Sequence, residues 1–183
     1  GIEWLGVMLP YTPLHYLLFH EAAGRPEGST WLNAPQELVL VMTSANPGGE
    51  PLVISNDEAV RRLDGIADAY LTHDRDILIR CDDSVVRHNG RHPAFIRRAR
   101  GYTPQPIALA NEGARVLATG AWFKNTICLT REVEAFVSQH IGDLDNAATC
   151  AALEAAVDHL TTVLEIRPEA VAHDMPPDFF RSR

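Results

Sequence analysis

Apolar and polar positions along the 183-residue chain switch repeatedly between helix-like and strand-like periods, with marked breaks between them. A short apolar segment at 5–9 leads into a well-punctuated helix. Thr12 can cap it, Pro13 suits the first helical position, and Gly24 can close it after Leu14, Leu17, Leu18 and Phe19. Residues 38–42 form a continuous apolar run that predicts a buried strand, and the run empties into the turn-rich loop Thr43-Ser44-Ala45-Asn46-Pro47-Gly48-Gly49. A second helix is expected from Asn56 or Asp57 through Ala59, Val60 and Leu63. Strand-like pieces follow at 69–72, 77–80 and 84–88. Asn89-Gly90 is a strong hairpin signal that pairs the last of these with 94–98.

From Thr103 to Gly113 the pattern lapses around Pro104 and Pro106, and the segment reads as a linker. Beyond it, 115–119, 126–130 and 135–139 predict three consecutive strands. Asp145 or Asn146 caps a long helix from Ala147 to about Ile166, whose apolar face includes Leu153, Ala156, Val157, Leu160 and Leu164. A short strand at 170–172 ends at His173-Asp174, before Pro176-Pro177. The order βββαβ implies a sheet with a helix on one face, and the fold class is α/β throughout.

Composition narrows the classes of function. The chain is 46% apolar, which suits one or two globular domains, and no apolar run approaches the roughly 20 residues a membrane span needs. Its start, Gly1-Ile2-Glu3-Trp4, has neither an initiating Met nor the pattern of a signal peptide, so the chain is read as cut from something longer. Cys81, Cys128 and Cys150 are far apart and odd in number, which suggests reduced thiols in a cytoplasmic protein rather than a disulfide framework or a cysteine zinc site. A net charge of −8 disfavours general affinity for nucleic acid. Arg87, Arg91, Arg97, Arg98 and Arg100 nevertheless share one short stretch with His88 and His92, a local charge better matched to a compact anion than to a long duplex. Lys124 is the single lysine, against fifteen arginines, which hints that its compact ammonium matters.

Two elements carry candidate chemistry. Thr43, Ser44 and Asn46 lie at the carboxyl end of the expected buried strand, where α/β sheets collect ligands. Hydroxyls and main-chain N–H groups there can hold phosphate or carboxylate oxygens, or the loop can simply satisfy its own backbone. The second element is the hairpin from Asp82 to Tyr102. Alternation sends Arg98 and Arg100 to one face and Arg97 to the other. Such guanidinium forks can grip phosphate, or they can protect a solvated edge strand. Ser138, Gln139, His140 and Asp143 make a polar strand end before the long helix. Gly142 intervenes and no second histidine sits at helical spacing, so His140 is read as structural and no metal site is expected within the chain.

These residues bring a resemblance with them. Leu5-Gly6-Val7-Met8-Leu9-Pro10-Tyr11-Thr12-Pro13-Leu14-His15, Val41-Met42-Thr43-Ser44-Ala45-Asn46-Pro47-Gly48-Gly49-Glu50-Pro51-Leu52 and Arg97-Arg98-Ala99-Arg100-Gly101-Tyr102-Thr103-Pro104 resemble the YrdC-like domain of HypF carbamoyltransferases. Val116-Leu117-Ala118-Thr119-Gly120-Ala121, Lys124-Asn125-Thr126 and Ser138-Gln139-His140-Ile141-Gly142-Asp143-Leu144 resemble the start of the next domain in that family, the Kae-like transferase domain of actin/hexokinase (ASKHA) fold. The resemblance implies a YrdC-like mixed sheet with helices over 1–107, lacking its start. A linker at 108–114 and the first βββαβ part of the Kae-like domain over 115–183 would follow.

The implied activity is hydrogenase maturation. ATP, with Mg2+, activates carbamate from carbamoyl phosphate as carbamoyl-adenylate, and the carbamoyl group passes to the C-terminal cysteine thiol of HypE for cyanide-ligand synthesis. Thr43, Ser44 and Asn46 would line the nucleotide and carbamate pocket, Ser84 and Arg97 match the family's serine and arginine strands, and Arg98 and Arg100 join the candidate set. Lys124 sits at a turn that approaches phosphate in actin-like folds. Zinc and the transferase-domain metal are expected outside this stretch, so the chain alone should be inactive. Pro176 and Phe179 replace a histidine and a tyrosine of the family pattern. One alternative shares the YrdC-like pocket, threonylcarbamoyl-adenylate synthesis for tRNA modification; another, of a different class, is a double-stranded RNA-binding module, which the basic hairpin allows and the acidity disfavours.

Overall fold

In the computed structural model, which describes residues 3–175, helix α1 (Pro13–Ala22) begins where Thr12 Oγ1 accepts the N–H of His15 at 3.4 Å. It ends where Gly24 turns left-handed at φ 80°. There Gly24 N–H bonds Glu21 O and Arg25 N–H bonds His20 O, both at 3.0 Å, so the last carbonyls are satisfied by a Schellman closure. The chain divides into two units, Gly1–Thr43 and Ser44–Arg183. The first holds α1, a 3-10 turn at Thr30–Asn33 and the apolar run 38–42.

That run corrects an expectation. It lies in no strand, and Val39 and Val41 are 86% and 97% exposed. A strand becomes buried only when a ladder partner and a packed layer cover it, and no other strand exists among the described residues of this unit. The runs at 69–72 and 77–80 in the second unit likewise stay outside any strand, with Leu71 and Leu78 exposed.

The second unit opens with α2 (Asn56–Arg62). Ser55 Oγ accepts Glu58 N–H at 3.1 Å while Glu58 Oε2 accepts Ile54 N–H at 3.1 Å, a reciprocal cap. Strands β1 (Val85–His88) and β2 (Pro93–Arg97) form the expected antiparallel hairpin. At its tip Asn89 Oδ1 accepts the N–H groups of Arg91 and His92, and Gly90 takes φ 88°.

The stretch read as a linker contains strand β3 (Ile107–Gly113). Its prolines stop one residue short of the ladder, and β3 is an edge strand, where pairing needs no strict apolar alternation. The sheet continues through β4 (Val116–Ala118), β5 (Cys128–Val137) and β6 (Ala170–Ala172) in the order β3-β5-β4-β6. β6 runs parallel to β4 and the other pairs are antiparallel.

Where two strands were expected, at 126–130 and 135–139, β5 is continuous, yet it cannot be straight. Ten residues in line would span about 33 Å, whereas Ser138 N–H reaches Ile127 O at 2.8 Å. The reversal falls at Glu132, φ 54°, flanked by the Arg131–Glu134 ion pair at 3.1 Å. One arm of β5 pairs with β4 through Cys128 and Leu129, and the other pairs with β3 through Glu132, Glu134 and Ala135. The three expected strands are therefore present as β4 and the two arms of β5, followed by α3 and β6, and β3 adds a further strand from the supposed linker.

Helix α3 (Ala147–Val163) starts where Asn146 Oδ1 accepts Thr149 N–H at 2.9 Å. Its buried positions, Thr149, Leu153, Ala156 and Leu160, recur at helical spacing and face the sheet. With Ile127, Leu129, Phe136, Leu144 and Ile166 they make the core, and Val157 and Leu164 pack against it partly buried. Each large side chain buried there contributes roughly 1.5–3 kcal/mol. Leu153 is 4% exposed and Val163 is 56% exposed. Denaturant unfolding should therefore show Leu153→Ala costing about 2–5 kcal/mol and Val163→Ala under about 1 kcal/mol. Equal costs would mean the core lies elsewhere.

Candidate functional site

Within the second unit a cleft of about 240 Å³ opens between the 44–52 loop, the segment 78–82, the end of β2 and the 139–145 segment. Ser44, Asn46, Arg97 and Lys124, four of the residues singled out from sequence, line it together. Glu50, Arg80, Asp82, Gln139, His140 and Asp143 line it as well, and Ala152, Ala155 and Ala156 of α3 supply an apolar wall.

The loop carrying Ser44 and Asn46 is fixed by its own bonds. Asn46 Nδ2 donates to Glu50 O at 2.7 Å and Pro47 O at 3.1 Å, and Val53 N–H reaches Ala45 O at 2.9 Å. The amide nitrogen of Asn46 thus serves the loop's backbone, the bland role weighed for it. A second tie comes from the helix: Asn146, while capping α3, donates from Nδ2 to Gly49 O at 3.1 Å. The opposite wall is fixed as tightly. Lys124 N–H donates to Asp143 Oδ1 at 2.7 Å, and Asn125 N–H donates to Gly142 O at 2.8 Å. Gly120, at φ 75°, lets this wall close, because a Cβ there would stand 2.0 Å from Thr126 O.

Charges lining the cleft and beside it come in pairs. Glu58 contacts Arg62 closely and lies 3.5 Å from Arg80, while Arg62 also reaches Glu50 at 2.5 Å. Burial works to raise the Glu58 carboxyl, but the Ile54 N–H and the two guanidiniums outweigh it and hold Glu58 below the usual glutamate range. Arg97 lies 3.9 Å from Asp82, and Lys124 Nζ lies 3.3 Å from Asp143. The Lys124 N–H, with the ammonium, holds Asp143 low. Burial, helped by Arg97 and Lys124, pushes His140 down against the pull of Asp82 and Asp143, so its imidazole is neutral at physiological pH.

Comparison with known proteins places this geometry. Residues 111–183 match the family model described as HypF Kae1-like domain, and residues 1–99 match the Sua5/YciO/YrdC model, described as telomere recombination. Over 186 aligned residues, covering 100% of this chain, it is 72% identical to carbamoyltransferase HypF2 of Cupriavidus necator. The chain belongs to the HypF carbamoyltransferase family. HypF of Rhizobium leguminosarum is 51% identical over 98% of the chain. The chain spans 23% of the length of each of these two HypF relatives. A crystal structure of full-length HypF in the phosphate- and nucleotide-bound form superposes with a TM-score of 0.84 at 42% identity, over 97% of this chain and 26% of that one. HypF of T. kodakarensis superposes with a TM-score of 0.71 at 34% identity, over 77% of this chain and 18% of that one.

Other residues carried over from the HypF pattern are not among those that line the cleft. Thr43 is exposed and belongs to the first unit. Ser84 Oγ donates to Arg100 O at 2.9 Å and accepts Ala99 N–H at 2.8 Å, so it stitches the strand ends. Arg98 donates to Tyr102 O, Gln105 O and Val137 O, and Arg100 donates to Cys81 O, both serving backbone carbonyls. Arg97 is the last residue of β2, and of the three arginines it alone lines the cleft, Arg98 and Arg100 lying past the strand's end with their guanidiniums on backbone carbonyls. Arg80 and Asp82 fall outside the site residues read from sequence, since their link to Glu58 and Arg97 spans segments with no shared period. His140, read as structural, lies in the cleft. Pro176 and Phe179 lie outside the described residues.

The Glu58 pair sets a pH dependence. Its carboxyl is lower in the folded state than in the unfolded chain, so the pair stabilises fully above the unfolded value, about 4.3. That contribution is lost as pH falls through the lowered folded value. Acid unfolding should be steeper in the parent than in Glu58→Gln, with the two curves converging at the acid end. Parallel acid limbs would contradict the pairing.

Proposed function

We propose that this chain supplies the adenylate-forming cleft of a HypF-type carbamoyltransferase. In it ATP activates carbamate, released from carbamoyl phosphate, as carbamoyl-adenylate. The carbamoyl group then passes to the C-terminal cysteine thiol of HypE for cyanide-ligand synthesis in hydrogenase maturation. The observation that carries this reading is the convergence of Ser44, Asn46 and Arg97, from a loop and a distant strand end, on one cleft. The nucleotide-bound state of the similar full-length HypF supports it.

In the proposed step a carbamate oxygen attacks the α-phosphorus of ATP. The new P–O bond forms as the bond to pyrophosphate breaks. The guanidinium of Arg97 offsets charge on the phosphate oxygens, and the Ser44 hydroxyl donates to one of them; both are worth more in a cleft than in open water. Carbamate is itself the nucleophile, so no side-chain nucleophile is needed. Carboxylates at Glu50 and Asp82 are oxygen ligands of the kind that suits the Mg2+ accompanying ATP. In the second stage the thiolate sulfur attacks the carbamoyl carbon, the C–S bond forms, and AMP leaves.

The activity belongs to the longer protein, and there it is tested. Pyrophosphate release by the full-length enzyme should depend on carbamoyl phosphate, and Arg97→Gln should lower it by about tenfold or more, the loss of one charge-assisted contact. Release that instead requires threonine and bicarbonate would assign the cleft to tRNA modification. Full activity in Arg97→Gln would remove the cleft from the reaction.

A further inference from the structure

The cleft is lined from both family regions: Ser44, Asn46 and Arg97 lie in the YrdC-matching stretch, while Lys124, His140 and Asp143 lie in the Kae1-like stretch. The ion pairs there differ in how firmly they hold. Arg62 and Arg80 share Glu58, and Arg80 also donates from Nε to Leu52 O at 2.8 Å, so both are locked. Arg97 and Lys124 are held more loosely. Arg97 stands at 3.9 Å from Asp82, and the side chain of Lys124 is 77% exposed while its ammonium meets Asp143 at 3.3 Å. An exposed pair of that kind is weak, so an arriving phosphate can exchange for the carboxylate at little cost.

The backbone at Lys124 does not depend on the ammonium. Asp143 uses Oδ1 for the Lys124 N–H and Oδ2 for Nζ, so the side chain can leave Oδ2 while the loop stays pinned through Oδ1. Asn125 adds to the pinning: it is fully buried, its N–H meets Gly142 O and its O accepts Ile141 N–H, both at 2.8 Å. The result is a mobile cation on a fixed base.

We infer that Lys124, from the Kae1-like region, is a substrate-binding cation of the adenylate-forming cleft, leaving Asp143 to hold phosphate oxygens of ATP opposite Arg97. This rests on the proposed adenylate reading and deepens it: nucleotide activation in one region would require a side chain of the next. His140 lines the same cleft and burial favours its neutral form, so it adds no charge to those of Arg97 and Lys124.

The test uses the full-length enzyme and measures carbamoyl-phosphate-dependent exchange of labelled pyrophosphate into ATP, across ATP concentrations. Lys124→Gln should lower kcat/KM for ATP by about tenfold, and Lys124→Arg should restore most of it. Asp143→Asn keeps an oxygen for the Lys124 N–H and removes the competing charge, so it should leave the apparent ATP affinity unchanged or tighter. Exchange at the parent rate in Lys124→Gln, with Arg97→Gln impaired, would overturn the role of Lys124 alone. Equal losses in Lys124→Gln and Asp143→Asn, matched by equal falls in melting temperature, would make the pair structural and also overturn it. Parent-like exchange in both Lys124→Gln and Arg97→Gln would instead mean that the adenylate reading has failed.

Discussion

The side chain of Asn125 is fully buried and donates from Nδ2 to two backbone carbonyls, Thr119 O at 2.9 Å and Ala121 O at 2.7 Å. Both neighbours are acceptors, so the orientation of the amide is fixed. Its main chain is meanwhile bonded on both sides to Ile141 and Gly142. This one residue ties the 119–125 turn to the segment that carries His140 and Asp143. Without it the turn would lose two buried bonds, and the two carbonyls would be left without donors at about 1–3 kcal/mol each. Gly120 completes the constraint, since its left-handed backbone brings Thr126 O to a distance at which no Cβ fits.

On that fixed wall the electrostatics of the cleft become intelligible. Its cations are distributed over three segments that sequence separates widely, and each faces a carboxylate. The pairs nearest α2 are tight and partly buried, and they hold the loop 50–52 to the helix. Those at Arg97 and Lys124 are long or exposed. Structural charge and available charge thus lie side by side, distinguished by geometry rather than by residue type.

Local signals were read well from sequence because they report local physics. Thr12-Pro13 and Gly24 set the ends of α1, Asn89-Gly90 set the hairpin, and the period of Leu153, Ala156 and Leu160 set the buried face of α3. Signals that depend on a distant partner were read less well. The apolar run 38–42 states only that something should cover it, and the described residues of the first unit offer no strand to do so. Residues 107–113 look like a connector because an edge strand needs little apolar pattern, and only the arm of β5 reveals them as a strand. Among the site residues, Ser44, Asn46, Arg97 and Lys124 were legible as residue types suited to anions, and alternation separated Arg97 from Arg98 and Arg100. The carboxylates that answer them, Asp82 and Asp143, emerge only when the chain folds and brings their segments to one cleft.

The central claim is that phosphate binds in this cleft between the two regions. A crystal structure of the full-length protein with a non-hydrolysable ATP analogue tests it most directly. The account predicts phosphate oxygens within hydrogen-bonding distance of Ser44 Oγ and the Arg97 guanidinium, with the Lys124 ammonium turned from Asp143 toward them. Phosphates bound away from Ser44 and Arg97, with the cleft left to water, would contradict it.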